Sequence, residues 1–389
     1  MNMRSEKHNE AVPDIDLRIR QAVLATSALA KCREIVFSED RKTDVACRSY
    51  LLNKINEKSL KRKVKLELGD AFLRGAFRAS LRVSFRPLGR LLLIVSENDV
   101  LGTAQAFLGA YITGNRVLVK ARSSLEILRF LKNALALDDD AVQIADWQGG
   151  SQDDAALLQD VDGIVLAGGA DLIMHFRRVA PPHIRLIEFG PKISAAAVGG
   201  VALDDVDHIA SLLVDEVGLF MQQVCSSPRF IMVEQKEVAR RLFDALKTKL
   251  TELPLLAEDT RLAQAGKYAE LQLMKRVGQV HGACLQDVAF EPANGWGMTL
   301  SQGLDASLWF EKGFQLVQGD LKAVVAQASR QWKGALQTLG MVGCDDLPLQ
   351  GFTRFCPLGT MHSRPLSVPH DGFFELGAFV SFISKELDR

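Results

Sequence analysis

The chain has 389 residues, enough for two or three domains with sizeable cores. Hydrophobic residues make up 48% and charged residues 24%, and 47 basic residues balance 47 acidic ones, which argues against nucleic acid or an anionic membrane surface as the main partner. Cysteines 32, 47, 225, 284, 344 and 356 occur without a CxxC pair or nearby histidines, so no metal site and no disulfide framework is expected, and a reduced cytoplasmic chain is the simplest reading.

Residues 1–13 read as a flexible polar tail without the apolar core of a signal peptide. From about Asp14 to Leu81 apolar residues recur at helical spacing, "LGDAFLRGAFRASLR" included, and the basic run "KSLKRKVK" reads as a wet helix face. After Pro87 the texture changes. "GRLLLIV" suits a buried parallel strand, and a helix follows over Leu101–Ile112. Then come the strand "RVLVKA", a helix capped by Ser123 or Ser124, the strand "AVQIADW" and a short helix in "DDAALLQD". The strand "DGIVLAGG", the helix "ADLIMHFRRVA" and the strand "IRLIEFG" complete the run. Fourfold alternation predicts a doubly wound parallel sheet, with ligands at the carboxyl ends of its strands. The uncharged stretch "VLGTAQAFLGAYITGN" is too short and too polar for a membrane span. From about Ile193 the pattern restarts. "DVDHIASLLVDEVGLFMQQVC" predicts one long helix ending in Cys225, followed by the strand "RFIMVE" and the helix "EVARRLFDALKTKL" of a second α/β unit.

Four places carry candidate chemistry. Gly168 and Gly169 join a strand to a helix start, where backbone N–H groups suit a phosphate, although such turns are common in α/β domains. Lys120 ends a strand and is followed by Arg122 and Ser123 with no carboxylate, which fits a 2′-phosphate and hence NADPH, or simply an exposed strand end. Glu188 ends another strand, as a general base, a proton carrier or a capping carboxylate. Cys225 precedes two serines and a proline, as a nucleophile or a small buried hydrophobe. The other cysteines read as structural, His175 as part of a solvated helix, and His362 and His370 fall in C-terminal loops.

In order, "RPLGRLLLIVSENDVLGTAQAFLGAYITGNRVLVKARSS", "ADWQGG", "DGIVLAGGADLI", "EFGPKISA", "QQVCSSPR" and "RFCPLGT…PHDG" resemble the LuxC-like acyl-CoA reductases, within the aldehyde dehydrogenase superfamily. The resemblance runs from about Leu66 to the C-terminus. It implies an aldehyde-dehydrogenase-like α/β fold: a doubly wound, parallel-sheet NADP-binding domain over 14–192 and a second, catalytic α/β domain over 193–352. Residues 353–389 would return to the cofactor domain or an oligomer contact. By the same resemblance Cys225 is the nucleophile and Asn98 the oxyanion donor. Lys120 would lie at the adenine ribose, Gly168 and Gly169 at the pyrophosphate, and Glu188 at the general-base position. The superfamily "KPSE" is "KARS" here, with Ser123 at the carboxylate position.

The implied reaction is NADPH-dependent reduction of an acyl-CoA or acyl-carrier-protein thioester to an aldehyde, with a partner enzyme as a candidate source of acyl groups and a homo-oligomer as the default assembly. An aldehyde dehydrogenase working oxidatively, with Glu188 activating water, is the nearest alternative. A non-catalytic binding or scaffold subunit is the alternative of another class.

Overall fold

The computed structural model describes residues 14–69, 77–78, 81–95, 98–121, 124–145, 157–281, 284–347 and 350–386. The expected tail over 1–13, Arg122, Ser123 and most of "ADWQGG" lie outside the described residues. The chain divides into two compact units, one comprising residues up to 37, 46–190 and 365 onward, the other 38–45 and 191–364.

The first unit carries a five-stranded parallel sheet. Its strands are β1 (Arg90–Ile94), β2 (Arg116–Lys120), β3 (Val142–Ala145), β4 (Gly163–Ala167) and β5 (Arg185–Phe189), in the order β3-β2-β1-β4-β5. Strand order reverses at β1, so a crevice opens at the carboxyl edge beside it. β1 is apolar after Arg90 because both faces are covered: Leu91, Leu92, Leu93 and Ile94 are all buried. The helix Val100–Ile112 is built from small and apolar residues and is buried over most of its turns. Asp99 starts it by accepting from the Gly102 N–H at 2.7 Å.

The lead-in forms the helices Ile15–Lys31, Arg41–Asn53 and Glu57–Leu68, but the helical expectation fails beyond them. Phe77–Arg78 and Leu81–Pro87 are strands, in an antiparallel ribbon with Val380–Glu386. Their partner comes from the far C-terminus, and pairing of that range overrides local spacing.

The second unit holds a seven-stranded sheet of β6 (Ile193–Val198), β7 (Pro228–Val233), β8 (Leu285–Phe290), β9 (Gly297–Ser301), β10 (Gly313–Gln318), β11 (Leu336–Val342) and β12 (Arg354–Pro357). Its order is β8-β9-β10-β7-β6-β11-β12, parallel except for the β8–β9 pair. Alternate residues of β7 feed opposite cores: Phe230 and Met232 pack with Val317 and Val325, while Ile231 and Val233 pack with Leu213, Trp296 and Phe314. Burial on both faces anchors β7 firmly, and the loop entering it carries Cys225.

The expected boundary at 352/353 moves to 364/365. Residues 354–357 pair in parallel with β11, and the Arg354 guanidinium donates to the carbonyls of Thr360 and Met361, which ties that loop to the second unit.

Candidate active site

Cys225 is not delivered by one long helix. The helix Val206–Gly218 ends, and Phe220, Met221 and Gln222 follow with φ of 57°, 53° and 53°. Three consecutive non-glycine residues in the left-handed region cost on the order of 1 kcal/mol each, so the surroundings must hold them. They do. The buried Gln222 amide donates to the carbonyls of Pro228 (2.9 Å) and Gly313 (2.8 Å). Its oxygen accepts from the Gly313 N–H and from Arg229. Lys312 Nζ donates to the Met221 carbonyl at 2.8 Å, and the Phe220 N–H donates to Thr43 Oγ1. Burial pulls the Lys312 ammonium below the usual lysine range, and the adjacent Arg229 charge adds to this.

The turn sets Cys225, half-buried, at the entry to β7. Gln337 Nε2, from β11, donates to Cys225 Sγ at 2.9 Å. A donor on sulfur favours the thiolate, which is the nucleophilic form. The Cys225 carbonyl accepts from Ser194 Oγ at 2.6 Å, and Ser194 Oγ in turn accepts from the Thr338 N–H, so the backbone at Cys225 is pinned to β6 and β11.

Behind the loop lies a buried polar chain. Ser226 Oγ is 2.8 Å from His362 Nδ1, and His362 Nε2 is 2.7 Å from the Glu216 carbonyl oxygen. A carbonyl only accepts, so Nε2 carries the hydrogen and Nδ1 accepts from the Ser226 hydroxyl. Glu216 Oε1 accepts from the Met361 N–H at 2.7 Å, and Oε2 lies 3.2 Å from His362 Nε2 without accepting a hydrogen bond. Burial pushes the Glu216 carboxyl up to about 7 and pulls the His362 imidazole down to about 4. Between those values both are neutral, so His362 is an acceptor that orients Ser226 rather than a base.

The remaining candidates gather at one edge of the first unit's sheet. Ile94 pairs with Lys120 and with Leu166, and Leu166 pairs with Glu188, so the carboxyl ends of β2, β1, β4 and β5 stand in a row. Lys120 is half-buried at the end of β2, and Asn98 is exposed beyond β1. Gly168 and Gly169 close β4, and Gly169 begins the helix Ala170–Val179 without a side-chain cap. A Cβ on Gly169 would meet nothing within 4 Å, so this helix start is open to a ligand. With Lys120 nearby on the same edge, these residues fit a dinucleotide phosphate. Glu188 is held by Arg177, whose Nε and Nη2 reach its two oxygens at 2.7 and 2.5 Å. That bidentate pair occupies both oxygens. Among the described residues no cluster of side chains suits a metal ion, and no helix is long and apolar enough to cross a membrane.

Gln337, Gln222, Ser194 and the Ser226–His362–Glu216 chain escape a reading of the sequence. Only the polar Gln337 inside the mostly apolar "LQTLGMV", and the doubled glutamine before Cys225, give any local signal.

The model of the LuxC family, described as acyl-CoA reductase, matches residues 22–382. A protein of Photorhabdus luminescens named long-chain acyl-protein thioester reductase is 25% identical over 323 residues, covering 77% of this chain and 64% of that protein. Its namesake in Vibrio harveyi is 26% identical over 178 residues, covering 43% and 35%. The chain thus spans less than two thirds of the length of these relatives. Among solved structures, proline utilization A of Bradyrhizobium japonicum superposes with a TM-score of 0.69 at 18% identity, over 96% of this chain and 43% of that one. An NADP-dependent glyceraldehyde-3-phosphate dehydrogenase of Bacillus halodurans gives 0.66 at 17%, over 97% and 87%. An NAD-dependent aldehyde dehydrogenase of Sinorhizobium meliloti gives 0.66 at 15%, over 96% and 82%. These likenesses show an aldehyde-dehydrogenase-like α/β fold, and the match over residues 22–382 shows the family: the chain belongs to the LuxC acyl-CoA reductases.

Proposed function

We propose that the protein reduces an acyl thioester, carried on CoA or on a carrier protein, to an aldehyde through an acyl group held on Cys225. The observation that carries this reading is the donor on the nucleophile, Gln337 Nε2 at 2.9 Å from Cys225 Sγ, in a loop whose backbone is pinned on both sides. The thiolate attacks the thioester carbonyl; the new S–C bond forms as the thiolate of the donor leaves and takes up a proton. The Cys225 N–H and the Asn98 amide serve the oxyanion in this reading, and a donor of that kind is worth roughly 3 kcal/mol of barrier. Lys120 and the Gly168–Gly169 turn hold the phosphates and ribose of a nicotinamide cofactor, NADPH in this proposal, with Arg122 and Ser123 following Lys120 in the chain. When bound, that cofactor supplies the hydride that takes the acyl group to the aldehyde oxidation level.

Glu188 has no necessary part here, because no water is activated. The oxidative alternative needs it as a base, and its bidentate pairing with Arg177 disfavours that direction. Intact-protein mass spectrometry tests the proposal: wild type and Cys225→Ala are mixed with a panel of acyl-CoAs and with acylated carrier protein, without cofactor. A gain of one acyl group in the wild type alone, discharged as aldehyde on adding NADPH, is the expected result. No adduct from either donor, or an equal adduct on Cys225→Ala, refutes it.

A further inference from the structure

In "PHDG" the histidine is fixed on three sides, all within the first unit. Asp371 and Gly372 have φ of 51° and 88°, the two left-handed residues that a two-residue type I′ turn requires. Across this turn the N–H groups of His370 and Phe373 each donate to the other's carbonyl at 3.0 Å. Residues paired in this way direct their side chains to one face of a hairpin. Both rings accordingly meet Phe189 at the end of β5, with centroids 4.6 Å away for His370 and 5.2 Å for Phe373. The third hold is a carboxylate. His370 Nδ1 lies 3.3 Å from Glu375 Oε1, and the buried Lys63 Nζ donates to Glu375 Oε2 at 3.1 Å.

A carboxylate only accepts, so Nδ1 carries the hydrogen and Nε2 is left as an acceptor. No partner of Nε2 occurs among the described residues, and the side chain is 16% exposed. Packing and the Glu375 bond account for the ring's position; they leave Nε2 without a role in the fold.

Phe189 ties this nitrogen to the cofactor edge. It pairs with Ala167 of β4, and its carbonyl accepts from the Gly168 N–H at 3.2 Å. A dinucleotide lies across the crevice where strand order reverses, with one half to each side. With the adenosine half at Lys120 of β2 and the pyrophosphate at the Gly168–Gly169 turn of β4, the nicotinamide half runs on toward β5. That is one strand spacing further, about 4.8 Å.

We infer that His370 is a cofactor-binding residue: its Nε2 accepts a hydrogen bond from the nicotinamide riboside half, from the carboxamide N–H or a ribose hydroxyl. This rests on the cofactor placement under the proposed function.

Calorimetric titration of the full chain tests it, with NADP+, NAD+ and the adenosine fragments 2′,5′-ADP and ADP as ligands. His370→Phe is expected to raise the Kd of the preferred dinucleotide about tenfold and to leave that of its adenosine fragment unchanged. His370→Asn keeps a donor toward Glu375 and lacks Nε2, so it should show the same selective loss. The 3-acetylpyridine analogue of the dinucleotide, which has no amide N–H, separates the two donors. A wild-type preference for the natural dinucleotide that the variants lack assigns the carboxamide; an equal loss of both ligands in the variants assigns the ribose hydroxyl. Variants that bind the dinucleotide like the wild type, or that lose the fragment as much as the dinucleotide, overturn the inference alone. A wild type that binds neither NADP+ nor NAD+ overturns the cofactor placement and the inference together.

Discussion

Replacing Glu216 by glutamine probes the buried pair behind the Cys225 loop. The Glu216 side chain is 4% exposed, and burial, against the pull of the Met361 N–H and the Arg354 charge, raises its carboxyl from 4.5 to about 7. An acid raised in this way binds its proton more tightly folded than unfolded. Its contribution is fully present below 4.5 and is lost as pH rises through about 7, a change worth roughly 3 kcal/mol. His362 acts in the opposite sense. Burial lowers it from 6.5 to about 4, so its contribution is present above 6.5 and lost as pH falls toward about 4. The two slopes oppose one another between those limits, and this pair leaves the wild type nearly flat there. Glutamine keeps an acceptor for the Met361 N–H and removes the titration. The variant should therefore gain on the wild type by roughly 3 kcal/mol between about pH 4.5 and about pH 8. Urea unfolding of the full chain at pH steps across that range measures the difference directly. Parallel stability curves for the two proteins would refute the reasoning, because they would mean that Glu216 is ionised alike in both states.

Gln337→Leu removes the donor on the Cys225 sulfur; a hydrogen bond to a charged group is worth about 1.5–3 kcal/mol, so alkylation of Cys225 by iodoacetamide at neutral pH should slow by about tenfold or more. Gln222→Ala strips four hydrogen bonds from the left-handed turn and leaves buried groups unpaired. A loss of about 3 kcal/mol in urea unfolding, with slower acylation of Cys225, is expected. On the proposed mechanism, Asn98→Ala should lower aldehyde formation by about 10²–10³-fold while the Cys225 thiol alkylates at the wild-type rate, an outcome that separates the proposed oxyanion role from damage to the thiol.

The five strands of the first sheet were legible because a strand buried on both faces is a near-continuous apolar run, as in "GRLLLIV", and because glycine turns punctuate the alternation, whereas of the second sheet's seven strands only β7 was read. The family could be read from short segments in a fixed order, each weak alone. Placement of Lys120, Gly168, Gly169 and Glu188 at one sheet edge also followed, since parallel strands of a doubly wound sheet all end on the same side. Other features depend on partners far away in the chain. Leu81–Pro87 is a strand because Val380–Glu386 pairs with it, and the helix before Cys225 stops at Gly218 because Gln222 finds Gly313 and Pro228. Glu188 is tied up by Arg177 one helix away, and Cys225 meets Gln337 from another strand. Local sequence thus determined which backbone segments could form and what chemistry they carried. Tertiary structure decided which donor reaches the sulfur and which carboxylate is occupied, because a side chain's charge state and aim are set by neighbours that only the folded chain brings within hydrogen-bond distance.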